Sequence, residues 1–167
     1  MAQPFVSIII GSKSDADTMK ACATTLESFD VPYEMIISSA HRSPERTKAY
    51  VAEAEKKGAQ VFIAAAGMAA HLAGALAATT TKPVLGVPMS ASDLGGIDAL
   101  LSTVQMPSGM PVGTLAIGKA GATNAAFLAM QILALHDNTL AQKLLEDRQK
   151  KAQKVEADSR EIEVRLP

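Results

Sequence analysis

The stretch Tyr33-Glu34-Met35-Ile36-Ile37-Ser38-Ser39-Ala40-His41-Arg42-Ser43-Pro44-Glu45-Arg46 decides the fold. Its apolar run from Tyr33 to Ile37 alternates poorly and reads as a buried strand. The chain then enters a helix, with Ser43 as N-cap and Pro44 at the first helical position. Gly58 stops that helix after Lys57. In an open α/β sheet, such strand-to-helix turns lie at the carboxyl edge, where ligands bind. This turn carries a titratable imidazole, a guanidinium and several hydroxyls. Taken alone it is equally well an ordinary capped turn facing water. Matching chemistry on two other turns shifts the balance.

Working outward, a first strand spans 5–10 and ends at Gly11. A helix over 15–29 places Met19, Cys22, Ala23, Leu26 and Phe29 on one face. Strands are expected at 61–65, 83–87 and 112–117, with an alanine-rich helix to about Thr79 and a short helix over 97–104. Helices over 120–136 and from Thr139 to about Ala157 close the chain. Strands alternating with helices imply a parallel sheet wrapped on both faces by right-handed crossovers. The expected fold is a three-layer, doubly wound α/β domain of flavodoxin-like or Rossmann-like type. One domain over 1–157 and a tail over 158–167 are expected.

A chain of 167 residues suits one domain with a sizeable core. The net charge of −1 provides no bulk field toward nucleic acid or an anionic membrane. Any anionic ligand must be held by local groups. The one cysteine, Cys22, excludes an intrachain disulfide and reads as a small core side chain. No secretory signal or membrane-spanning stretch is evident, so a soluble cytoplasmic domain is expected.

The helix over 120–136 is apolar around most of its axis, which predicts cover by a second subunit and hence a homo-oligomer. In the last helix, Lys143, Glu146, Asp147, Arg148, Lys150, Lys151 and Lys154 read as a solvated face. That helix is expected to pack on neighbouring subunits.

Two further turns carry chemistry. Gly11-Ser12-Lys13-Ser14-Asp15 opens a helix, where amides, hydroxyls and a lysine suit a phosphate; Asp15 has an alternative reading as a helix cap. The run is neither a Walker loop nor a Gly-x-Gly-x-x-Gly fingerprint, which argues against ATP and dinucleotides. Ala66-Gly67-Met68-Ala69-Ala70-His71 offers small residues that let a ligand approach the backbone. His71 alone reads as structural, and so does His136 at a helix end. Three histidines and one cysteine lack ligand spacing, so no metal site is expected.

Gly-Ser-Lys-Ser-Asp, Ser-Ala-His-Arg-Ser-Pro and Gly-Met-Ala-Ala-His-Leu occur in order, followed by the run from Met106 to Gly118. Together they resemble the N5-carboxyaminoimidazole ribonucleotide mutase family of de novo purine biosynthesis, over roughly Val6 to His136. Met68 stands where a second glycine is usual, and Ala73 where a proline is usual.

The resemblance implies an isomerase that moves a carboxylate from an exocyclic nitrogen to a ring carbon, without metal or cofactor. Carbon dioxide is released and trapped in a closed pocket. A group titrating near neutrality is needed, and histidine ordinarily titrates at about 6.5. His41 is the implied proton shuttle, with His71 supporting it. Ser12 and Asp15 are implied to bind the ribonucleotide, Arg42 its phosphate, and Ser14 and Ser39 to assist, beside Ala40. Gly67, Met68, Ala70 and Leu72 are implied to wall the carboxylate pocket. The Met106–Pro111 loop is implied to reach a neighbour's site in a homo-oligomer, an octamer by resemblance. Alternatives are a carboxylase using carbon dioxide directly and a non-catalytic nucleotide sensor. A response-regulator module lacks the acidic cluster it needs.

Overall fold

The computed structural model describes residues 4–164. Five strands form one parallel sheet: β1 (Phe5–Ile10), β2 (Tyr33–Ile37), β3 (Ala59–Ala66), β4 (Val84–Pro88) and β5 (Gly113–Thr114). Their order is β2-β1-β3-β4-β5, the flavodoxin-like arrangement. The winding reverses between β1 and β3, so the loops leaving those two strands diverge and open a crevice at their carboxyl ends.

The helices are α1 (Ala16–Ser28), α2 (Pro44–Lys57), α3 (Leu72–Ala77), α4 (Ile97–Val104), α5 (Gly118–Leu133) and α6 (Asn138–Ile162). Val6, Ile8 and Ile10 of β1 pack with Met19, Cys22 and Leu26 of α1 and with the alanines of α5. Ile9 and Phe62 face the other way, against Val51 and Ala54 of α2 and Leu72 and Leu76 of α3. Apolar residues on both faces of β1 and β3 suit a parallel sheet covered by helices on each side.

The expected elements are all present, with instructive differences. β2 has its expected bounds but is an edge strand, with Met35 and Ile37 exposed, so it is not the buried strand its run suggested. An edge strand has a neighbour on one side only. β5 is two residues long, where six were expected. After it only Leu115 continues the pairing, donating to the Gly86 carbonyl at 2.9 Å. α5 starts at Gly118 and ends at Leu133, so His136 lies beyond the helix. A Cβ on Gly121 would sit 1.6 Å from the Ala116 carbonyl oxygen, so only glycine lets this first turn press so closely.

α5 finds much of its cover within the chain. α1, β3, β4 and α6 all contact it, and Phe127, Leu128, Ile132 and Leu133 are half-buried. Its apolar character therefore does not by itself require a second subunit. α6 continues to Ile162, past the expected stop at 157, because Asp158 to Ile162 contains no glycine or proline to break it. Leu140 is its one buried residue among those described. No helix among the described residues is long and apolar enough to cross a membrane.

Candidate active site

A cleft of about 550 Å³ opens at the carboxyl edge of β1, β2 and β3. The turn after β1 forms its first wall. Lys13–Asp15 is a single 3-10 turn; the Ser12 hydroxyl accepts from the Ser14 amide at 3.4 Å and from the Ser14 hydroxyl at 3.0 Å. The one Ser14 hydroxyl proton is shared between the Ser12 hydroxyl and, at 3.4 Å, the Asp15 carboxylate, and all three residues line the cleft. Asp15 occupies the N-cap position of α1, but its side chain makes no cap bond, which disposes of the alternative reading as a helix cap. It is only 5 % exposed, yet it lines the cleft. Burial pushes its pKa up, and hydrogen bonds from the Ser12 backbone and the Ser14 hydroxyl offset part of that rise. Lys13 does not line the cleft.

The second wall is the turn after β2. Ser43 takes the N-cap position and Pro44 opens α2, as the sequence suggests, but the Ser43 hydroxyl makes no cap bond. It turns back to residue 39, accepting from the Ser39 amide at 3.1 Å and donating to the Ser39 carbonyl at 3.1 Å. The Ser39 hydroxyl accepts from the Arg42 amide at 3.2 Å, which leaves its proton for a ligand oxygen. His41 and Arg42 are exposed at the rim. Among the described residues, no carboxylate lies within ion-pair distance of the Arg42 guanidinium.

The third wall follows β3. Met68 adopts φ 57°, a left-handed conformation that costs non-glycine residues energy. Glycine adopts this conformation without that cost. Ala73 lies in the first turn of α3, where a proline would have no helical hydrogen bond to lose. Alanine serves there without penalty. The His71 ring stacks on the His41 ring, with centroids 5.6 Å apart and planes 19° off parallel. Two turns far apart in sequence thus join two imidazoles over one cleft.

Of the sequence-derived residues, Ser12, Ser14, Asp15, Ser39, Ala40, His41, Arg42, Gly67, Met68, His71 and Leu72 line the cleft. Ala70 does not; it is 4 % exposed and buried beneath the turn. Gly11, Ala66 and Ala69, which lie within the two small-residue motifs, line the cleft as well, and so does Ala91, which the sequence did not point to. Ala91 arrives on the loop after β4, whose position beside β3 was not legible before strand order was known. A Cβ on Gly67 would approach the Ala91 Cβ to 3.0 Å, so the two loops are in close contact. No residue of the Met106–Pro111 loop lines the cleft of its own chain.

Away from the cleft, the Cys22 thiol is pushed up to about 12 by burial, which suits a core side chain and not a nucleophile. No three His, Cys, Asp or Glu side chains among the described residues are grouped to hold a metal ion. His136 lines a separate hollow of about 670 Å³ that contains none of the motif residues.

A family profile described as AIR carboxylase matches residues 5–154. The N5-carboxyaminoimidazole ribonucleotide mutase of Escherichia coli (strain K12) is 55% identical over 139 residues, covering 83% of this chain and 82% of the relative. That of Bacillus subtilis (strain 168) is 52% identical over 153 residues, covering 92% and 94%. A crystal structure of Treponema denticola PurE superposes with a TM-score of 0.88 at 27% identity, covering 97% of this chain and all of that one. With the sheet order, the three motif-bearing turns and these similarities in agreement, the chain belongs to the AIR carboxylase family.

Proposed function

We propose that this chain is a mutase that converts N5-carboxyaminoimidazole ribonucleotide to 4-carboxy-5-aminoimidazole ribonucleotide in purine biosynthesis. Relatives bearing that mutase name match most of its length at 52–55% identity. The observation that carries the reading at the site is the His41–His71 stack in one cleft with Arg42 and the hydroxyl-rich turn at Ser12. Arg42 supplies a planar fork for phosphate, and Ser12, Ser14 and Ser39 supply hydroxyls around it. Asp15 accepts from ribose hydroxyls.

The chemistry follows from one mobile proton. His41 in its protonated form gives that proton to the exocyclic nitrogen as the carbamate C–N bond breaks, releasing carbon dioxide. The ring carbon then attacks carbon dioxide, forming the new C–C bond. Neutral His41 takes the hydrogen from that carbon, restoring aromaticity and its own charge. Atoms and charge balance, and no outside reagent is consumed. Gly67, Met68 and Leu72 wall the space that keeps the gas near the ring.

A homo-oligomer, of eight subunits by resemblance, completes this reading. Leu94, Ile97, Leu101 and Val104 are 48–65% exposed and repeat at helical spacing along α4 and its approach. A second copy covering this stripe brings the adjoining Met106–Pro111 loop toward a neighbour's cleft. A cytoplasmic setting accords with the single, protonated thiol.

The test is direct. Purified protein is given the carbamate nucleotide, and formation of the ring-carboxylated product is followed with and without added bicarbonate. Turnover independent of bicarbonate is expected. Turnover of the uncarboxylated nucleotide that rises with bicarbonate identifies a carboxylase instead. Tight binding without product identifies a sensor.

A further inference from the structure

We infer that Ser43, braced by Thr47, is a positioning residue that fixes the His41 turn; this rests on the shuttle role proposed for His41. Two hydroxyls below the turn, Ser38 and Thr47, form a directed chain that ends on the Ser43 carbonyl. The Thr47 hydroxyl donates to the Ser43 carbonyl at 3.1 Å. A hydroxyl has one proton, so in the 2.8 Å Ser38–Thr47 contact the donor is Ser38. Ser38 and Thr47 are 2 % and 4 % exposed, so water does not compete for this chain.

Above them, Ser43 closes a five-residue loop. Its amide donates to the Ser39 carbonyl at 2.8 Å, and its hydroxyl both accepts from the Ser39 amide and donates to the Ser39 carbonyl. His41 sits at the midpoint of this closed loop, with its own side chain exposed and no hydrogen bond among those described to hold it. The ring is therefore aimed by its backbone and by its stack on His71. A serine at an N-cap ordinarily bonds forward into its helix. This one gives up that bond and turns back toward residue 39, as a loop clasp does. Neither Ser43 nor Thr47 lines the cleft, so both act through His41 and touch no substrate.

The experiment compares Ser43→Ala, Ser43→Thr, Thr47→Val and the control Ala54→Gly in steady-state turnover of the carbamate nucleotide. Ala54 lies on the buried face of α2, so its replacement loosens that helix without touching the clasp. Misplacing a reacting group by an ångström can cost about a hundredfold. Partial loosening is expected to lower kcat about tenfold in Ser43→Ala and severalfold in Thr47→Val. Ser43→Thr keeps the hydroxyl and is expected to recover kcat to within about twofold, and Ala54→Gly to keep wild-type kcat wherever it remains folded.

Wild-type kcat in Ser43→Ala overturns the inference, as does an equal loss in Ala54→Gly or failure of threonine to rescue. If Ser43→Ala does not fold, wild-type kcat in Thr47→Val overturns it. Failure of the wild-type protein to turn over is a different result and refutes the mutase reading itself.

Discussion

Replacing Met68 by glycine and, separately, by alanine isolates the strain in the turn that carries His71. Met68 has φ 57° and is 63% exposed. Both substitutions remove the same side chain and lose the same small contact area, so their difference reports the backbone alone. A left-handed non-glycine residue costs about 1–2 kcal/mol. Glycine avoids that cost but loses about 0.5–1 kcal/mol through its freer unfolded chain. The balance makes the glycine variant more stable than the alanine variant by about 0.5–1 kcal/mol. In an unstrained segment the order is reversed. For a chain of this size the difference corresponds to a few degrees in Tm, about 2–4 °C per kcal/mol. Urea unfolding at fixed protomer concentration, with m-values checked for equality, measures it with any self-association held equal between the two variants. An alanine variant as stable as the glycine variant, or more so, refutes the claim that this turn is strained.

Four other outcomes are expected. His41→Asn should lose at least about a hundredfold in kcat and keep its affinity for the nucleotide, since the amide fills similar space without shuttling a proton; equal losses in calorimetric affinity and turnover indicate a structural histidine. Arg42→Lys should weaken nucleotide binding about tenfold, as one point charge replaces a bidentate fork, and unchanged affinity removes Arg42 from the phosphate site. For Asp15, burial raises the folded pKa above the ordinary 3.8, so the ionised form carries a penalty that is absent below that value and complete above the raised one. Asp15→Asn should therefore gain stability over wild type at neutral pH, with the gain shrinking as pH falls toward 3.8; a pH-independent difference in urea midpoints contradicts this. Leu101→Glu puts a charge in the exposed α4 stripe and should shift sedimentation toward smaller species; an unchanged assembly size means the stripe is not an interface.

The local part of this protein was legible in its sequence. β2 and α2 have the bounds that Tyr33–Ile37 and Pro44–Lys57 suggest, because Pro44 and Gly58 punctuate the chain by steric rules that act within a few residues. The left-handed φ of 111° at Gly58 is that rule in coordinates. The three polar turns were likewise readable, since each directly follows an apolar run. What failed to show depends on neighbours that the sequence does not order. β2 seemed buried because an apolar run looks the same at the edge of a sheet as at its centre. Ala91 was silent because an alanine has no chemistry to advertise, and Ala70 was placed in the wall because a single turn has an inside and an outside that spacing does not reveal.

Residue chemistry and chain-local sterics thus determined the elements, their alternation and the three turns that line the cleft. Tertiary structure alone decided that His41 and His71, thirty residues apart in sequence, stack 5.6 Å from one another. The reason is the reversal of winding between β1 and β3. It sets the turns after β2 and β3 on either side of the turn after β1, and strand order is settled by packing over the whole sheet and not by any one segment.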